Sequence, residues 1–175
     1  MTGVVLGCAG FAAMEAVSYA THRWVMHRIG MVWHRSHHRR SEGGWEANDL
    51  FPLLFSVIGF ATFVLAIGTP WLRPVAIGIT AYGAAYLFVH EVYIHERLRW
   101  RVPKNAYMEH LRDAHALHHR FGGEPYGMLL PVVSRSLRER SAGEHPSPSG
   151  GRVPSRTDDV ALARRPSARE TRSRL

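Results

Sequence analysis

The chain has 175 residues, room for one domain, with 22 basic against 14 acidic side chains and a formal charge of +8. Its mean hydropathy of −0.16 averages over a sharp division, because the first two-thirds carry long apolar runs whereas the part from Ser134 onward holds ten Arg against five acids. That charge lies in a tail and in loops beside apolar runs, with no nucleic-acid-binding motif, so nucleic acid is excluded as a partner; the single cysteine, Cys8, excludes an internal disulfide and reads as a small buried hydrophobe.

The first predicted element runs from Thr2 to Ala20, long enough to cross a bilayer and interrupted only by Glu15. It lacks the basic leader of a signal peptide and runs straight into His22 and His27. Leu50 to Gly68 is a second span without a charge, and Trp71 to Val89 a third, with Arg73 near enough to its end to snorkel. Thr69 and Pro70 alone separate these two, which predicts a tight helical hairpin. Arginine placement sets the topology: Arg23, Arg28, Arg35, Arg39 and Arg40 follow span one, and Arg97, Arg99, Arg101 and Lys104 follow span three. Both basic segments are therefore expected on the cytoplasmic side of the membrane. Tyr126 to Val133 is a fourth apolar piece, too short to span, expected either to dip into the interface or to pack across the site. The expected architecture is all-α, an integral membrane bundle of three to four helices over residues 1–133, followed by a basic, disordered tail over 134–175.

Ten of the twelve histidines fall into four clusters that flank these spans. His34, His37 and His38, and again His115, His118 and His119, have the H-x-x-H-H spacing, whose members share one helix face and can converge on one or two ions. His22 and His27, like His90 and His95, are five residues apart, about 140° around a regular α-helix. Such rings diverge unless they serve different ions or the helix end unwinds. Ten imidazoles exceed the four to six positions of one first-row ion, so the count predicts two ions; imidazole alone does not choose iron over zinc, copper or nickel. His110 fits neither spacing and reads equally as a helper of the site or as surface, and His145 as solvated tail.

Glu15 lies inside a span, where an acid is costly. It reads either as an anchor for a metal-bound histidine of another helix or as a neutral acid bonded between helices. Glu91, four residues before His95, is a second candidate for orienting a ligand, Asp113 a weaker one, and Asp49 reads as a helix cap. Tyr82, Tyr86 and His90 recur every four residues, which fits a substrate channel leading to a ligand as well as ordinary packing.

In their order and spacing these histidines, with Trp45-Glu-Ala-Asn-Asp-Leu50, Thr80-Ala-Tyr-Gly83, Val89-His-Glu-Val-Tyr-Ile-His95 and Ala114-His-Ala-Leu-His-His119, resemble the bacterial β-carotene 3-hydroxylases of the fatty-acid hydroxylase and sterol desaturase superfamily, over residues 3–140 or so. The resemblance implies a non-haem di-iron monooxygenase of carotenoid biosynthesis, held in the bacterial inner membrane with its metals on the cytoplasmic side. It would take O2 and electrons from a reduced ferredoxin-type donor and carry β-carotene through β-cryptoxanthin to zeaxanthin. Glu91 stands where many relatives have Asp. Two other readings compete: a hydroxylase or desaturase of another lipid, an acyl chain or sterol, and a non-catalytic membrane metal-binding protein. The latter calls for ligands at mid-span positions, and only Glu15 lies there.

Overall fold

The structure is a computed structural model that describes residues 1–38, 44–98 and 100–144. Helix α1 (Thr2–Ala20) continues without a break into a π-helical stretch, Thr21–Ile29; a short α2 (Met31–His34) follows. A 3-10 turn, Ala47–Asp49, leads into α3 (Leu50–Gly68), and α4 (Leu72–Leu87) runs on into a second π-helical stretch, Phe88–Ile94. Then come α5 (Ala106–Phe121) and α6 (Arg135–Glu144). The described residues contain no strand.

Three helical stretches are long and apolar enough to cross a membrane: Thr2–Ile29, Ala47–Gly68 and Leu72–Ile94. Their outward faces carry Val4, Val5, Leu53, Leu54, Val57, Ile58, Leu65 and Ile67, all exposed, which suits lipid rather than water. Cys8 is exposed on α1 and not buried as the sequence suggested, because the side of α1 packed on protein is narrow. Helix α1 lies along α4 at small residues. A Cβ on Gly78 would stand 2.1 Å from the Gly7 carbonyl oxygen, and one on Gly10 3.0 Å from that of Val75, so glycine is what permits this approach. Helix α3 folds back on α4 through a three-residue connection, Thr69, Pro70 and Trp71, one residue longer than the hairpin expected from the sequence.

At the other end of the bundle, Val89, Tyr93, Met108, Leu111 and Met128 form the buried core that docks α5 against the second π-helical stretch. Asn105 starts α5 by accepting the Met108 N–H at 2.9 Å. Gly122 ends it in the left-handed region, φ 68°, with its N–H bonded to the His118 carbonyl. Tyr126 packs against His22, His27 and His118, which favours the second of the two placements open from sequence for the start of this segment, whereas Leu130 and Val132 are exposed. Glu15 anchors the segment: its carboxylate accepts the backbone N–H groups of Met128, Leu129 and Leu130 at 3.0–3.2 Å. Arg135–Glu144 is helical, although the sequence placed it in a disordered tail; the expectation for residues 145–175, with His145, lies outside the described residues.

Candidate metal centre

The ten clustered histidines meet in one place, as two groups. In the first, ligand nitrogens of His22, His27, His34 and His118 lie within 4.8 Å of one another, and in the second those of His37, His95, His115 and His119 do. His38 joins the first, its Nε2 3.0 Å from that of His34, and His90 the second, its Nε2 3.0 Å from that of His37. His34 and His118 are fully buried. His110 is exposed and outside both groups, and Asp113 is exposed as well.

Two local departures from the α-helix build this arrangement. His22 and His27 sit on the first π-helical stretch and His90 on the second, with His95 capping its end; i→i+5 bonding adds about one residue to each turn there, and Gly30 N–H bonds to the Val25 carbonyl and His95 N–H to that of His90 in this pattern. Rings five residues apart therefore return to one face, with centroids 5.1 Å apart for His22 and His27 and 4.5 Å for His90 and His95. The divergence expected on a regular helix does not occur, because the helix widens rather than unwinds. The triplets, expected to share a face, split between the groups. Adjacent residues on a helix point about 100° apart, so His37 turns away from His38 to the second group, and His118 away from His119 to the first.

Outward nitrogens are held by acceptors. His22 Nδ1 bonds to the Tyr126 carbonyl at 3.1 Å, His118 Nδ1 to that of Gly123 at 2.6 Å and His34 Nδ1 to Asn48 Oδ1 at 2.8 Å. In the second group, His90 Nδ1 bonds to Glu91 Oε1 at 2.6 Å and His37 Nδ1 lies 3.4 Å from Glu46 Oε2. Glu91 thus contacts its neighbour His90 rather than His95. Arg97 holds the other Glu91 oxygen at 2.7 Å and both Asp49 oxygens at 2.8 Å. Asp49 also accepts the Glu46 N–H within the 3-10 turn, so it does not cap α3 as expected. Among its contacts Glu15 meets no histidine: besides the backbone of 128–130 it accepts the Tyr82 hydroxyl at 2.7 Å, the bond between helices that was its other reading. Asn48, Glu46 and Arg97 were not singled out as site residues, since each reaches its partner through a turn or a contact remote in sequence.

The donor set suits metal ions. Burial is the main cause that lowers His34, His37, His95 and His118 to about 3; it also pushes His115 well below its ordinary value and His119 lower than those four, so all six rings are neutral donors at ordinary pH. His119 Nε2 is buried without a hydrogen-bond partner. Five pairs of Nε2 atoms stand 3.0–3.2 Å apart. Cis ligands of a six-coordinate ion with bonds of about 2.1 Å are about 3.0 Å apart, against about 3.4 Å for a tetrahedral ion. The residues fit two nitrogen-ligated ions.

A cavity of about 450 Å³ opens against both groups between α1, α3 and α4. His22 and His90 stand at its inner end; Tyr82, Tyr86, Phe55, Phe60 and Phe63 are among the side chains lining it. Both tyrosines of the expected channel therefore face this space.

A family model described as fatty acid hydroxylase matches residues 7–138. The chain is 37% identical over 129 residues to a β-carotene hydroxylase of Paracoccus sp. (strain N81106 / MBIC 01143), covering 72% of this chain and 80% of that protein. It is 34% identical over 137 residues to the β-carotene hydroxylase of Pantoea ananas, covering 73% and 78%. Over 116 residues it is 40% identical to that of Pseudescherichia vulneris, covering 63% and 64%. No solved structure matches.

Proposed function

The chain belongs to the fatty acid hydroxylase family, and on that premise we propose that it is a β-carotene 3-hydroxylase. The observation that carries the reading is the pairing of two buried imidazole groups with an apolar cavity that touches one histidine of each. An unactivated ring C–H bond yields to no amino-acid side chain. Two iron ions with O2 would supply the oxidant: one oxygen atom would enter the C–H bond and the other leave as water, with two electrons from a ferredoxin-type donor and two protons from solvent.

His22, His27, His34, His38 and His118 would hold one ion, and His37, His90, His95, His115 and His119 the other. Glu91 keeps the His90 ring in the tautomer whose Nε2 faces the ion, as Asn48 does for His34. Cavity walls of phenylalanine, leucine and tyrosine exclude water and receive an apolar end group from the bilayer. The site lies on the cytoplasmic side of the bacterial inner membrane, where the basic segments after spans one and three steer an acidic electron donor. Residues 1–133 form the hydroxylase domain and the tail is dispensable; removing residues 145–175 is expected to leave product formation unchanged.

The test is expression in a host that accumulates β-carotene, with pigments resolved by chromatography. β-Cryptoxanthin and zeaxanthin are the expected products. Their absence, with the chain in the membrane and a competent donor present, would overturn the reading.

A further inference from the structure

Three glycines of the membrane helices have a packing reason. Gly7, Gly10 and Gly78 stand where α1 and α4 touch, and a Cβ on any of them would meet backbone atoms at 2.1–3.2 Å. Gly83 differs. It lies inside α4, and a Cβ built on it meets nothing within 4 Å. Neither a neighbouring helix nor a left-handed φ calls for glycine there. A glycine inside a helix costs stability relative to alanine, so the open space at Gly83 stands without a structural return.

That space belongs to the cavity, whose lining includes Gly83. Along α4 and the π-helical stretch that continues it, the cavity is lined from Ile79 through Tyr82, Gly83 and Tyr86 to His90 and Glu91. At roughly 1.5 Å per residue the cavity follows α4 and its continuation for about 16 Å, with Gly83 about 10 Å from His90. The cavity is therefore a slot running along the helices from mid-span to the histidines. Across it, α3 contributes Gly59 among Phe55, Phe60 and Phe63, and there too the nearest atoms to a Cβ are 4.0 Å away.

We propose that Gly83 is the gauge of the substrate slot: its missing side chain leaves the passage for a long, rigid apolar chain whose reacting ring lies at the His22 and His90 end. Continuity of the slot with both histidine groups is what assigns it to the substrate. The inference rests on the hydroxylase reading and deepens it, since Gly83 then selects for the chain that trails the ring. A Cβ there meets no protein atom within 4 Å, so the effect of a larger side chain is expected to follow its volume.

The experiment is a size series, Gly83→Ala, Gly83→Val and Gly83→Leu, with Gly68→Leu as the control. Gly68 also has nothing within 4 Å of its Cβ position, but it is not among the residues lining the cavity. Each full-length variant is made in membranes that hold β-carotene. Hydroxylated product, carotenoid absorbance copurifying with the protein and iron per chain are measured against the amount of protein in the membrane. The expected result is a graded loss, tenfold or more for Gly83→Leu, in product and in bound carotenoid, with iron unchanged throughout and Gly68→Leu like the parent. Gly83→Leu at the parent rate would overturn the proposal. So would losses that track iron rather than volume. If Gly83→Leu is not inserted, Gly83→Val decides alone, by a loss of product and bound carotenoid at full iron content or by none. A parent that makes no product but binds carotenoid in the same graded way would remove the hydroxylase reading and leave the gauge standing.

Discussion

The two histidine groups are assembled by one scheme used twice. His22 and His27 join His34 and His38 from the triplet that follows them, and His90 and His95 join His115 and His119 from theirs. Each triplet then sends its middle member across: His37 to the second group and His118 to the first. The backing of the rings breaks this symmetry. In the first group the outward nitrogens of His22, His118 and His34 meet neutral oxygens, two backbone carbonyls and an asparagine. In the second, His90 and His37 face carboxylates. A carboxylate behind an imidazole raises its basicity more than an amide does. On the proposed assignment, equal ligand sets need not bind equally: the second group would be the stronger donor, with a hold that depends on charge that Arg97 keeps in place.

The exchange of middle members gives the largest expected effect. On the proposed assignment, His37→Ala and His118→Ala each remove one ligand from the group opposite to the triplet that carries it. Each is expected to abolish hydroxylation and to lower iron from two ions per chain to one, measured on purified protein. If either variant kept both ions and its activity, the partition into two crossed groups would be wrong.

The asymmetry of backing comes next. Glu91→Gln and Asn48→Ala each strip one buried ring of its orienting acceptor, and such losses typically cost about 10–100-fold in metal affinity. Timed release to a chelator should show one fast ion in each variant, with the larger effect from Glu91→Gln, where a charge is lost as well as a bond. Equal effects would mean that charge behind the ring contributes nothing.

Arg97→Gln should act through the same carboxylate, more weakly. Its guanidinium joins Glu91 to Asp49, and these hydrogen bonds hold Arg97 above its ordinary range, with Asp49 the main cause. Removing it leaves Glu91 bonded to His90 but free to turn, so a severalfold faster release of one ion is expected. Restoration by Arg97→Lys to only part of the parent value would separate a fixed fork from a point charge.

These effects also mark what the sequence could tell. Hydropathy located the α-helical part of each span to within a turn, as α1, α3 and α4 show, but not the π-helical continuations of the first and third. Clustering of the histidines was equally legible, because proximity in sequence places His37 near His38 whatever the geometry. Their partition was not. It depends on the widening of the helix at Thr21–Ile29 and Phe88–Ile94, and a periodicity of 3.6 residues cannot express a π-helix. Glu15 was conspicuous as an acid in a span, yet its partners, the backbone of 128–130, lie more than a hundred residues away. Asn48 was overlooked for the same reason: its bond to His34 is made by a turn that folds residues 46–49 back over the site.

The smallest expected effect tests whether distance or charge governs the backing. Glu46 faces His37 as Glu91 faces His90, but at 3.4 Å against 2.6 Å. Hydrogen bonds weaken steeply at the longer separation, and the Glu46 carboxylate has a second duty, to close the 3-10 turn that carries Asn48. Glu46→Gln keeps a side-chain oxygen for that turn while removing the charge. Chelator release from Glu46→Gln should therefore stay within about twofold of the parent, a few tenths of a kcal/mol, well below the effect of Glu91→Gln. A Glu46→Gln effect as large as that of Glu91→Gln would show that the field of a carboxylate reaches the ring without a close bond. The stronger hold of the second group would then come from both acids together rather than from the one that touches.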